Sequence, residues 1–341
     1  MEFYPPTSHL PRQLIIYNAV MNRFIKRFGA CLLGCSLLLL AGCRLSEDLD
    51  NCNTFGIHFV YDYNLKYVDL FPKEATKMNL YAFDESGSFV QEFTSGALTS
   101  FSPNYNMQIT LPAGQAYTFI AWSGVYPGAY TVERGLGTSS LSDLKLQLAE
   151  LAQKETSQDL PDLWYGRLRS TVEGNKVDTI SLVKNTKTIL IAFQLLPNAQ
   201  SSRSLVKEDY HVWIEAADGV YDSDNTPSGS VINYRPYHSE NNDKGFVLEL
   251  NTLRLMADAK SYLVVERASD KKELLRLDLT EYFNIVRMKE YQKLPIQEYL
   301  DRQDEYELIF IFGGQVGTDD MFNSVSLIIN DWIIRDNGPV I

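Results

Sequence analysis

Residues 107–122 read Met-Gln-Ile-Thr-Leu-Pro-Ala-Gly-Gln-Ala-Tyr-Thr-Phe-Ile-Ala-Trp. Met107 to Leu111 and Ala116 to Trp122 read as strands, and Pro112-Ala113-Gly114-Gln115 between them is a turn. The same pattern recurs on both sides. Phe55, Ile57, Phe59 and Tyr61 alternate with Gly56, His58 and Val60, the period-2 mark of a strand. Met78 to Phe83, the turn Asp84-Glu85-Ser86-Gly87 and Phe89 to Phe93 form a hairpin. Leu144, Leu146 and Leu148 also alternate, but Leu141, Leu144, Leu148 and Leu151 fit a helix face equally, so both readings stand. Ile180 to Val183 and Thr188 to Leu195 flank a Lys184-Asn185-Thr186-Lys187 turn.

After a polar stretch from Pro197 to Ser204, a second strand-rich series begins. It comprises His211 to Glu215, Phe246 to Leu250, Tyr262 to Glu266, Leu274 to Leu279, Tyr306 to Phe312, Val325 to Ile329 and Trp332 to Ile334. One helix is expected at Ile296 to Gln303, after Pro295. Many short strands with frequent turn residues imply an all-β chain of packed antiparallel sheets. Two such series imply two β-sandwich domains in tandem, 52–190 and 191–341, with the boundary near 185–195.

The first 51 residues follow a different grammar. Arg23, Lys26 and Arg27 precede the apolar block Phe28 to Leu40, which is about 13 residues long, too short to span a bilayer. Leu40-Ala41-Gly42-Cys43 closes it with the pattern of a lipoprotein cleavage site. Residues 1–42 are therefore expected to be an over-extended start plus a signal peptide, with Met21 the better start. Cys43 becomes the lipidated amino terminus, carrying diacylglycerol and an N-acyl chain, the palmitate of a lipoprotein. Residues 43–51, with Glu47, Asp48 and Asp50, form an acidic tether that resembles a signal for display on the cell surface. The expected location is the outer membrane.

The chain has 31 Lys/Arg and 43 Asp/Glu, a net charge of −12. The leader holds four of the basic and one of the acidic residues, so the mature part carries −15. That excludes nucleic acid, whose phosphates need a basic face. Of the four cysteines, Cys31 and Cys35 leave with the leader, Cys43 is acylated and Cys52 has no partner, so no intrachain disulfide forms. Burial at the start of the first strand is the expectation for Cys52.

No enzymatic constellation is found. His58, His211 and His238 belong to no metal-ligand spacing, and there is no nucleophile elbow or phosphate-cradling loop; neither metal nor cofactor is expected. Asp218 to Asn225 clusters carboxylates that would suit calcium, but lacks the downstream glutamate of a full loop and reads as a solvated turn. Tyr126, Tyr130, Trp164 and Tyr165 are the first positions at which a sugar could stack. The terminal apolar stretch from Val325 is either an edge strand of its own sheet or a segment given to another molecule's sheet.

A set of short motifs then falls into order. The lipobox cysteine, the acidic tether and Cys52 lead to Tyr61-Asp62-Tyr63-Asn64. Leu80 to Gly87 and Leu111 to Tyr117 follow, then Leu163-Trp164-Tyr165-Gly166, Glu298-Tyr299-Leu300-Asp301-Arg302 and Ile329-Asn330-Asp331-Trp332. In this order and spacing, from about Cys43 to Ile334, the chain resembles the fimbrillin-associated anchor lipoproteins of type V pili. The resemblance implies two transthyretin-like β-sandwiches. It also implies a lipid-held fimbrial base whose partners are stalk or accessory subunits joined by β-strand addition. Stalk subunits lose an N-terminal strand to a protease. Here that cut would free the chain from its lipid, so Phe55 to Tyr61 is expected to stay and to end the polymer. The contact would use Val325, Leu327, Ile329, Trp332 and Ile334, although the tail beyond them is short for a free donor strand. The competing expectation is a surface lipoprotein that binds a glycan on a sandwich face.

Overall fold

The computed structural model describes residues 55–335 apart from 135–138, 197–200, 202, 230, 319 and 324. For Asp320, Asn323 and residues 332–335 it describes the backbone alone. Cys43, the acidic tether and Cys52 lie outside the described residues.

The first half of the chain forms β1 (Phe55–Val60), β2 (Lys77–Phe83), β3 (Phe89–Ala97), β4 (Asn106–Ile109), β5 (Ala116–Ser123), β6 (Tyr130–Glu133), β7 (Lys145–Leu148), β8 (Glu155–Thr156), β9 (Trp164–Thr171), β10 (Val177–Ser181) and β11 (Val183–Lys184). The second half forms β12 (Lys187–Leu195), β13 (Tyr210–Ala216), β14 (Val220–Tyr221), β15 (Ile232–Tyr234), β16 (His238–Asn242), β17 (Gly245–Thr252), β18 (Ser261–Arg267) and β19 (Glu273–Asp278). Helices α1 (Leu279–Glu290) and α2 (Ile296–Arg302) follow, and β20 (Glu305–Phe312), β21 (Val325–Ile329) and β22 (Trp332–Arg335) complete it.

These strands make two antiparallel-rich sandwiches in tandem, the all-β architecture expected. In the first, the sheet β10-β1-β4 covers one face of β11-β9-β5-β2-β3. Phe55, Ile57 and Phe59 of β1 meet Met78, Leu80, Phe119 and Trp164 in one core, all at most 1% exposed. In the second, the sheet β16-β17-β12-β20-β21-β22 faces β19-β18-β13-β15-β8. Phe193 stacks on Phe246, Phe310 and Phe312, with ring centroids 4.7, 5.1 and 5.8 Å away.

The two sandwiches are not separate bodies. The short β8, from the first half, pairs in parallel with β15 of the second. A small sheet, β14-β7-β6, joins both halves. The other face of β2 and β5 (Tyr81, Phe83, Ile120, Trp122) shares one core with the second sandwich.

The turn at 112–115 is a corner, not a hairpin. β4 pairs with β1 and β5 with β2 and β9, so the chain crosses from one sheet to the other there. The turn at 84–87 is a true hairpin. Asp84 Oδ1 accepts the N–H groups of Ser86 and Ser88, both at 2.9 Å, and Gly87 takes φ +80°. The open question at 141–151 resolves as a short 3-10 turn, Leu141–Asp143, running into β7, so the period-2 reading applies.

Gly124 follows β5 at φ +84°, and a Cβ there would lie 1.8 Å from the Asp162 carbonyl oxygen. Gly124→Ala should therefore cost several kcal/mol, roughly 3 or more, since strain and overlap add. The check is a urea unfolding curve, in which the midpoint falls and the slope does not change.

Candidate functional site

A chain that joins another by strand addition needs either an open groove or an open edge. β1 presents no groove. It lies between β10, parallel, and β4, antiparallel, and its inward rings are fully buried.

Among the described residues, one sheet edge lies near the other end of the chain. β21 pairs with β20, and β22 folds back on β21 as the last strand of its sheet. Asn330 and Asp331 make that hairpin turn with φ of 46° and 68°, the doubly positive two-residue form that favours Asn and Asp. Asn330 also fastens the turn to β20: its N–H donates to the Glu307 carbonyl, and its Oδ1 accepts the Glu307 N–H, each at 2.9 Å.

Val325, Leu327 and Ile329, expected at the strand-exchange contact, are at most 2% exposed and fill the core. In this fold they cannot touch a partner unless β21 leaves its sheet. Trp332 and Ile334 sit on β22, whose outer backbone edge pairs with no other strand among the described residues.

The motifs at Tyr61–Asn64 and Glu298–Arg302 meet in space as a polar clamp between the sandwiches. Arg302 donates to the carbonyls of Asp62 and Asn64 at 3.3 Å and lies over the rings of Tyr63 and Tyr67, at 4.0 and 4.8 Å. Its neighbour Asp301, 4% exposed, takes Arg254 in a two-pronged pair at 2.7 and 2.8 Å. Arg254 also donates to the Asn225 carbonyl at 3.0 Å. Asn225 and Asn185 exchange side-chain bonds at 2.7 and 3.0 Å.

Lys187 has no exposed surface; its Nζ donates to the Asp301 carbonyl at 3.0 Å and to Asp304 Oδ1 at 3.2 Å. The Tyr61 hydroxyl donates to the other Asp304 oxygen. Burial pushes the Lys187 ammonium down in spite of Asp304. Burial would lower Lys184 too, but Asp162, 2.9 Å away, with Asp304 and Glu74, holds it above its usual value. The Lys184–Lys187 segment, expected as a turn, is largely interior: Asn185, Thr186 and Lys187 are all buried.

The loop at 218–225, expected as a solvated turn, is partly interior. Asp222 Oδ1 accepts the N–H groups of Asp224 and Thr226 at 2.9 Å. Asp218 is buried and accepts the Tyr234 hydroxyl at 2.7 Å, while its second oxygen has no hydrogen-bond partner among the described residues. Burial pushes its carboxyl up to about 7. Ser223 and Asn225 are buried as well.

The positions named for sugar stacking fare poorly as a platform. Tyr130, Trp164 and Tyr165 are at most 8% exposed. Tyr126 is half-buried, bonded through its hydroxyl to Thr76 at 2.7 Å and capped by the Lys77 ammonium.

Among solved structures, a proposed polysaccharide-binding protein of Bacteroides thetaiotaomicron is similar at 31% identity and TM-score 0.73, over 83% of this chain and 97% of that one. A proposed adhesin from the same organism matches at 24% identity and TM-score 0.69, over 83% and 97%. The fimbrial anchor protein Mfa2 from Porphyromonas gingivalis shares the fold at 18% identity and TM-score 0.65, over 83% and 99%. No match was found among curated proteins. The model of the fimbrillin-A associated anchor proteins Mfa1 and Mfa2 matches residues 49–338. With nearly all of its described fold inside that match, the chain belongs to this family of fimbrial anchor proteins.

Proposed function

We propose that this chain is an outer-membrane lipoprotein, held by diacylglycerol and an N-acyl chain on Cys43, that fixes a fimbrium to the cell surface and ends the polymer at its base. The observation that carries this reading is the state of β1. It is seated at the centre of its sheet between β10 and β4, so no incoming strand can take its place without expelling Phe55, Ile57 and Phe59 from the core. The route to a stalk subunit that this reading takes is the edge of β22. There a partner strand would gain backbone hydrogen bonds, and its alternate side chains would set specificity.

Deletion of residues 325–341 would remove Val325, Leu327 and Ile329 from the core, so it cannot separate joining from folding. Deletion of 332–341 can. Lipoprotein lacking 332–341 should keep its fold and lose co-purifying stalk protein from cell surfaces. Retention of the stalk by this folded truncation would refute the β22 joint.

The glycan-binding alternative draws support from the polysaccharide-binding description of the similar Bacteroides protein. Against it, the two outward rings of β13 and β18, Trp213 and Tyr262, are each covered by a guanidinium: Arg235 at 5.3 Å and Arg276 at 4.4 Å.

A further inference from the structure

The outer face of the six-stranded sheet departs from the polar pattern of a solvated sandwich face. In β12 the inward residues are Ile189, Ile191 and Phe193, so Leu190 and Ala192 point outward. Ala192 is in register with Val247 of β17 on one side and with Ile309 of β20 on the other, and Ile309 is in register with Ile328 of β21. Val247, Ile309 and Ile328 are partly exposed. At a strand spacing of about 4.8 Å, the row runs for roughly 15 Å across four strands. Leu190 and Ile311, also partly exposed, widen it above and below. Single exposed apolar side chains are ordinary, whereas a contiguous patch rimmed by polar groups marks an interaction surface.

Three carboxylates lie at its border. Glu249 and Glu307 flank Leu190 on the adjacent strands, and Glu240 lies beyond Val247 in the row. None of the three makes an ion pair among the described residues. A second copy of this face would set carboxylates against carboxylates, which disfavours self-association. In the backbone register Ile328 is paired with residue 333 of β22, so the row adjoins the last described strand of the sheet.

We infer that the face centred on Ala192, Val247, Ile309 and Ile328 is a docking surface for a fimbrial subunit that presents an apolar centre and Lys or Arg at its border. This inference rests on the anchor reading and adds to it. A subunit joined at the edge of β22 would fold back over the adjoining apolar row and neutralise Glu249 and Glu307. Backbone pairing would supply the joint, and the face would supply the choice of partner.

The test places a photo-crosslinking amino acid at Ile309 of the full lipoprotein in the cells that carry the fimbria. A second sample places it at Glu215, on the outer face of the opposite sheet. Light should yield an adduct with a fimbrial subunit, identified by mass spectrometry, from position 309 and none from 215. In parallel, Ile309→Asp, which leaves the core untouched, should reduce co-purified fimbrial protein at least tenfold with an unchanged melting temperature. The inference is overturned if fimbriae co-purify with the lipoprotein but position 309 gives no adduct, or an adduct only with a second copy. If no fimbrial protein co-purifies with the unmodified lipoprotein, the anchor reading falls and this inference with it.

Discussion

Asp301→Ala is expected to destabilise the chain by about 3 kcal/mol, near the low end of the cost of leaving a buried cation without its counter-charge, because the Arg254 side chain keeps 15% of its surface exposed. Asp301 is 4% exposed, and its carboxylate holds both prongs of Arg254. Removal leaves a guanidinium with Asn225 O as its remaining bond, and frees the end of α2 that carries Arg302 against Asn64. The melting temperature should fall by about 10 °C for a fold of this size. Replacing both partners by apolar residues, Arg254→Met with Asp301→Leu, should recover most of the loss, because an apolar pair leaves no orphan charge. If the double variant is as unstable as the single one, the clamp acts through shape and not through charge.

The second large effect is a pH dependence set by Asp218. Its carboxyl is raised to about 7 because it is buried. The folded chain therefore holds this proton more tightly than the unfolded chain, whose carboxyl titrates near 4. Stability contributed by the protonated group is complete below about pH 4, is lost as pH rises through 7, and is flat above. The gap between the folded and unfolded titration points sets a ceiling of about 4 kcal/mol on that loss. Asp218→Asn keeps the neutral shape and the bond from Tyr234. It should match the parent near pH 4 and exceed it at pH 8 by a few kcal/mol, as read from urea midpoints at the two values. Equal stability at both pH values would mean that the carboxylate stays ionised in the fold.

Much of this architecture is legible in the residues, because alternation is a local signal. β1 stands where Phe55–Tyr61 alternate, and β2 and β12 stand where the apolar runs Met78–Phe83 and Thr188–Leu195 read as strands. What the residues do not disclose is what depends on distant partners. The Lys184–Lys187 segment has the composition of an exposed turn, and nothing nearby in the chain says that Asp304, Asp301 and Asn225 will enclose it. Pro112–Gln115 marks a turn, but which sheet each flank joins is decided by β1, β9 and β2 far away in sequence. The helix α1 is hidden from the strand pattern although its start is marked: Asp278 accepts the N–H groups of Thr280 and Glu281, the signature of an N-cap. Leu275, Leu277 and Leu279 continue the alternation across that cap and mask it.

The candidate site is legible in part. Val325–Ile329 and Trp332–Ile334 read as two strands, yet their placement at a sheet edge, with Val325, Leu327 and Ile329 turned inward, follows from pairing with β20. The outward row through Ala192 and Ile309 cannot be read along the chain, because its members lie on four strands from residues 192 to 328.

The most direct test of the anchor reading is the substitution Cys43→Ser, made in cells that bear the fimbria, with fimbrial protein measured on washed cells and in the medium. If the chain is the lipid-held base, fimbriae should move from the cells into the medium while the total amount made stays similar. Fimbriae that remain on washed cells bearing only the Cys43→Ser protein would contradict it.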